Sequence, residues 1–174
     1  MHYLILTVLI LLSCFNGETI NKMDENDKIK SFLDTISQIE SSGGKNFNHP
    51  QMKSGIHAGQ SAIGRYGLMP NTVSEVLNRM RLSGSLTPEL EQLRNLDPVA
   101  LKETLEASPE LEDEIARSLA NKVLSQQNDE EKAAYAWNQG HNLKPDRIAK
   151  QPYKESDYVK KYNTLKKMSQ GDKS

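Results

Sequence analysis

The stretch Ile29-Lys30-Ser31-Phe32-Leu33-Asp34-Thr35-Ile36-Ser37-Gln38-Ile39-Glu40-Ser41-Ser42-Gly43-Gly44 decides how this chain is read. Ile29, Leu33 and Ile36 recur at the spacing of one helix face, and the next position on that stripe is Glu40. A carboxyl group on the apolar face of a last helical turn is disfavoured as an anion by desolvation and by the negative helix end. Both effects raise its pKa, which is what a general acid at neutral pH requires. The plainer reading is a helix-end glutamate that swings out to solvent or pairs with Lys45. Glu40 is also isolated, because no Asp or Glu follows it until Glu75. The serines and glycines after it stop the helix, since glycine adopts the left-handed cap readily.

Outward from that helix, which runs from about residue 24 to 40, almost everything reads as helix. Residues 45–65 carry Gly, Pro, His and Asn with no helical period, so a long loop or small hairpin is expected there. Helical signals resume near Asn71 or Thr72, with Val73, Val76, Leu77 and Met80 on one face. Thr87-Pro88, Asp97-Pro98 and Ser108-Pro109 each place a proline at a first helical position behind a plausible cap. The helix from Pro109 carries Leu111, Ile115, Leu119, Ala120 and Val123 at core spacing. Asp129 caps the next, which holds Ala133, Ala134 and Trp137 and ends before Gly140. A last helix starts near Ser156 with Tyr158, Val159, Tyr162 and Leu165 inward. Residues 169–174 read as a disordered tail. No strand pattern or internal repeat stands out, so the fold class is all-α, with one domain over residues 24–168.

The 174 residues allow one domain with a real core, or a small domain plus tails. A net charge of -1 argues against a general nucleic-acid binder. The charge is uneven: residues 89–131 are strongly acidic and residues 144–173 mostly basic, which would suit an anionic surface such as a cell-wall polymer. Solvated charged faces are the commoner explanation of both. Tyr3 to Leu12 is an apolar run broken only by Thr7, too short to span a bilayer but right for a signal-peptide core, so export to the periplasm or medium is expected. Leu11-Leu12-Ser13-Cys14 resembles a lipobox, in which Cys14 would carry a membrane-anchoring lipid; the alternative is an ordinary signal cut near Gly17, making residues 1–17 the leader. Cys14 is the only cysteine, which rules out an intramolecular disulfide. His49 and His57 fit no compact ligand motif, so no metal and no cofactor is expected, and these two with His141 read as solvent-exposed or ligand-contacting imidazoles.

Four segments in order carry a family likeness. They are Ile39-Glu40-Ser41-Ser42-Gly43-Gly44, then Ser61-Ala62-Ile63-Gly64-Arg65-Tyr66-Gly67-Leu68-Met69-Pro70-Asn71-Thr72, then Ala136-Trp137-Asn138-Gln139-Gly140, then Pro152-Tyr153-Lys154-Glu155-Ser156-Asp157-Tyr158-Val159. Together, over about residues 30–162, they resemble the soluble lytic transglycosylases, which have the goose-type lysozyme fold and cut the glycan of peptidoglycan. The resemblance implies a lysozyme-like helical domain acting on peptidoglycan strands as a monomer, with Glu40 as the catalytic acid. It places Ser61, Gly67, Leu68 and Met69 along the glycan cleft, matches Asn138 to the Asn of the family's Ala-Tyr-Asn segment, and puts Glu155 and Tyr158 at the final motif, with Tyr158 near the catalytic carboxyl. Read from their chemistry, Tyr66, Leu68 and Met69 could form the apolar wall that keeps Glu40 protonated, or be plain core. Ser61 and Asn138 offer groups suited to sugar hydroxyl and acetamido partners. The loop before Ser61 is longer than the family's, Pro70 stands near where the family has Gln, and Trp137 replaces Tyr.

The mechanistic expectation follows from the missing second acid. Ordinary glycosidases need two carboxylates flanking the scissile bond. The carboxylate-free loop after Glu40 favours the single-acid route of the family, which ends in a 1,6-anhydro ring. A hydrolytic lysozyme on the same fold, with Glu75, Glu155 or Asp157 holding water, is the alternative. A non-catalytic wall-binding module is a third reading.

Overall fold

Proline behind an extended residue sets the rhythm of the chain. The computed structural model describes residues 24–53 and 58–171, and the leader, the lipobox-like stretch and His57 lie outside them. Helix α1 covers residues 24–41. Proline then opens α2 (Pro70–Ser83), α3 (Pro88–Leu93), α4 (Pro98–Ala107) and α5 (Pro109–Gln127), and later the single turn α7 (Pro145–Ile148). Helix α6 (Glu130–Gln139) and helix α8 (Asp157–Gly171) complete the set, with a 3-10 turn at Tyr153–Glu155 before α8. The expected caps are made: Thr87 accepts from the Leu90 N–H, Asp97 from Val99 and Ala100, and Asp129 from Lys132. Ser108 makes no side-chain cap, because one residue both ends α4 and begins α5.

Helix α5 is central, packing against α2, α4 and α6, and α6 in turn packs against α8. The face of α6 that reaches inward is alanine (Ala133, Ala134 and Ala136, all fully buried), which lets neighbours approach closely. Helix α1 enters the same core through Ile29, Phe32, Leu33 and Ile36. The Phe32 ring meets Trp137 at 5.8 Å and Tyr162 at 5.7 Å between centroids, tying α1 to α6 and α8. Each such buried side chain contributes about 1.5–3 kcal/mol of transfer free energy.

Three features differ from the sequence reading. The turns at 145–148 and 153–155 are too short to carry a periodic signal and were not anticipated. Helix α8 continues through Gly171, three residues past the expected end of the domain, with Ser169 Oγ donating back to the Lys166 carbonyl at 2.8 Å. The acidic stretch is not simply a solvated face, because Glu112 within it is buried. The long loop closes without forming a strand among the described residues. Met52 exchanges backbone bonds with Gly59 and Gln60, both 2.8 Å, and Ile63 and Leu68 form one antiparallel bridge. No helix among the described residues is long and apolar enough to cross a membrane.

Candidate active site

Glu40 stands one residue before the end of α1, and its carboxyl group turns inward. Tyr158 Oη, from the first turn of α8, donates to Glu40 Oε1 at 2.7 Å. The other oxygen lies against Gly67. A Cβ on that glycine would sit 2.6 Å from Glu40 Oε2, inside any permitted contact, and Gly67 has φ +64. Burial raises the Glu40 pKa, outweighing the Tyr158 hydrogen bond and the nearby charges of His49 and Lys161 that pull it down. Neither solvent exposure nor a pair with Lys45 describes this side chain. The neighbouring phenol is likewise pushed well up, by its own burial and then by the Glu40 charge. Tyr158 therefore remains a donor.

The turn that presses on Glu40 is held from three helices. Ser41 Oγ, the residue after the acid, lies 2.8 Å from the Arg65 carbonyl oxygen and accepts from the Gly44 N–H at 2.8 Å. From the start of α5, the Glu112 carboxylate accepts the Tyr66 N–H at 3.0 Å, and Asp113 takes both the Tyr66 hydroxyl at 2.9 Å and the Arg65 guanidinium. From α6, Trp137 Nε1 donates to the Tyr66 carbonyl at 3.3 Å. Gly64 has φ +62, and a Cβ there would meet the Glu112 carboxyl carbon at 2.3 Å. Burial raises the Glu112 pKa, with the backbone N–H groups of Tyr66 and Arg65 opposing. On the loop side, His49 Nε2 is 2.7 Å from the Gly64 carbonyl.

Glu40 opens onto a cavity of about 330 Å³ whose walls include Gly67, Leu68, Met69, Trp137 and Asn138. Five of the sequence-derived residues thus converge: Glu40, Gly67, Leu68, Met69 and Asn138, with Tyr158 behind the acid. Asn138 has its amide oxygen taken by the Gln139 Nε2 at 2.6 Å, which leaves its NH₂ for a ligand. Three expectations are corrected. The Tyr66 side chain does not form the wall: its hydroxyl is tied to Asp113 and its ring lies under Arg65, 4.8 Å from the guanidinium carbon. Ser61 is partly buried but lies outside the cavity wall. Glu155, the last residue of the 3-10 turn, is exposed 3.7 Å from Lys160 and also stays outside the cavity wall. Pro70 is the buried first residue of α2, so the position has a helix-opening role and no amide to offer.

Sequence reasoning missed Thr72 and Leu119 in the wall, and the brace residues Ser41, Glu112 and Asp113. Of the two readings of His141, solvent exposure is set aside: it is 8% exposed and lines the cavity just past α6. A signal for Glu112 existed: it lies three residues before Ile115 and seven before Leu119, on the same stripe. Among the described residues that line the cavity, Glu40 is the only carboxylate.

The chain matches no protein-family model, no curated protein and no solved structure. What it can do follows from its own geometry. A carboxyl whose pKa is raised by burial, with one oxygen held by a phenol, can give a proton to a ligand seated in the cavity it lines.

Proposed function

We propose that this chain is a peptidoglycan lytic transglycosylase with a lysozyme-like fold, exported from the cell, that breaks the β-1,4 bond between N-acetylmuramic acid and N-acetylglucosamine. One observation carries the reading: the lone, half-buried Glu40 carboxyl between Tyr158 and Gly67 at the wall of an open cleft. Tyr158 holds Oε1, so Oε2, on the Gly67 side, is the oxygen left to carry the proton. Glu40 gives that proton to the glycosidic oxygen as the bond from the muramic acid anomeric carbon breaks. The substrate's acetamido group stabilises the sugar cation. The Glu40 carboxylate then takes the proton of the muramic acid 6-hydroxyl, whose oxygen closes the 1,6-anhydro ring. One group serves as acid and then base, which suits a cavity wall with a single carboxylate. The apolar flanks of Leu68, Met69 and Trp137 keep the acid poorly solvated, and the Asn138 amide suits an acetamido oxygen.

The test is mass spectrometry of fragments released from purified peptidoglycan by the wild type and by Glu40→Gln. The wild type is expected to release anhydromuramyl ends, and the variant to lose about a hundredfold or more of that rate. Equal release by both proteins would remove Glu40 from the chemistry. No release from acetylated or deacetylated walls, with retained sedimentation on them, would leave a wall-binding module.

A further inference from the structure

Past Gly140 the cleft opens into a second hollow of about 380 Å³, and the two share Thr72, Gln139, Gly140 and His141 as a common wall. His141 stands at that junction. Its Nε2 lies 2.9 Å from Glu75 Oε2, on α2. Glu75 is itself held by Lys122 Nζ at 3.1 Å, from α5, and by the Asn142 amide at 2.9 Å. Burial opposes the charge on Glu75, but the Asn142, Lys122 and His141 bonds outweigh it and keep this carboxylate at about 2. It is an anion at any working pH. An anion at Nε2 selects the tautomer with the proton there, which leaves the Nδ1 lone pair free. Among the described residues Nε2 meets only Glu75, close enough for a charge contact but out of line for a regular hydrogen bond, and no contact is made by Nδ1. Burial holds the His141 pKa below its usual value, with Lys122 and Arg79 adding to this and Glu75 opposing. The ring is therefore neutral at neutral pH, the form that accepts a proton.

We propose that His141, set in place by Glu75, is a general base that takes a proton from water entering through the second hollow, so that the cleft cuts glycan by hydrolysis as well as by ring closure. This rests on Glu40 being the acid of a glycan-cleaving site. Glu40 protonates the leaving oxygen as its bond to the anomeric carbon breaks. The water oxygen bonds to that carbon, and the water proton passes to His141 Nδ1. The products are a reducing muramic acid end and a free 4-hydroxyl. Solvent then carries the proton from His141 back to the Glu40 carboxylate. His141 is the catalytic group here and Glu75 a positioning residue.

The experiment is the ratio of reducing to anhydro ends released from purified peptidoglycan, a quantity that does not depend on the folded fraction of a variant. The wild type is expected to give both ends. His141→Gln is expected to lower the ratio by about tenfold or more. In the wild type the ratio should fall as pH drops and His141 takes a proton. Glu75→Gln removes the anion that raises the histidine pKa, so that fall should move to lower pH, which a merely structural role would not produce. An unchanged ratio in His141→Gln, or an unmoved pH profile in Glu75→Gln, would overturn the dyad. Anhydro ends alone from the wild type would overturn it too while leaving the transglycosylase reading intact. No release of either end would overturn both.

Discussion

Glu40 and Glu112 are the same side chain in two settings that match almost point for point. Each sits on the apolar stripe of a helix, each has its pKa raised by burial, and each presses its carboxyl group against a glycine of positive φ. They differ in what receives them. Glu112 is 2% exposed and its Oε1 accepts the Tyr66 backbone N–H, so it braces a turn and has no ligand to meet. Glu40 meets a phenol on one side and an open cavity on the other. A raised carboxyl pKa therefore does not identify an acid of the reaction by itself. Access to a cavity separates the two.

The glycines give the strongest way to break this comparison. Gly64→Ala puts a methyl group into the Glu112 carboxyl at a positive φ, and is expected to cost about 2 kcal/mol or more in urea unfolding. Gly67→Ala carries a similar backbone cost but displaces Glu40, so its activity per folded molecule should fall about tenfold or more. If Gly64→Ala lost activity per folded molecule as severely, the division into brace and acid would be wrong.

A smaller effect sharpens the energetic half. The Glu112 pKa is raised in the folded state, so the stability tied to its protonated form is present at low pH and is lost as pH rises through the folded pKa. Glu112→Gln keeps an oxygen acceptor for the Tyr66 N–H and abolishes that loss. Its melting temperature is expected to exceed that of the wild type at pH 8, with the gap closing as pH falls to the ordinary glutamate range. A constant gap across pH would mean that Glu112 titrates normally.

The smallest effect isolates the phenol. Tyr158→Phe removes a hydrogen bond that lowers the Glu40 pKa, so the acid should stay protonated to higher pH. The alkaline limb of the activity profile should move up, with a rate change of about fivefold, the worth of one hydrogen bond. A limb that stayed in place would show that Tyr158 orients Glu40 without tuning it.

Much of this was legible because the information is local. Pro88, Pro98 and Pro109 behind Thr87, Asp97 and Ser108 announce helix starts through chemistry that acts within three residues. Glu40 was visible because the helix stripe it extends is apolar and its neighbours in the chain are uncharged. Glu112 obeys the same rule but sits in Pro109-Glu110-Leu111-Glu112-Asp113-Glu114, where its neighbours make a solvated face the easier reading. Tyr66 and Trp137 were harder still. Which of two aromatic residues turns toward a cleft depends on partners distant in the chain: Asp113 draws the Tyr66 hydroxyl away, and the Tyr66 carbonyl, 71 residues off, accepts from Trp137 Nε1. His141 lies beyond the end of α6, where no period says which way a side chain faces. Glu155 fell outside the cavity because a three-residue 3-10 turn, invisible to any helical pattern, sets its direction.

Trp137 has a further consequence. It is the only tryptophan of the chain, and it stands in the cavity wall with its ring edge-on to Phe32 and its N–H engaged. All of the protein's indole emission thus originates at the cleft. A ligand that displaces water there changes the surroundings of that single indole, and no other indole contributes a competing signal. The molecule carries its own optical reporter of occupancy, usable without a label and readable on a variant that binds but does not cut.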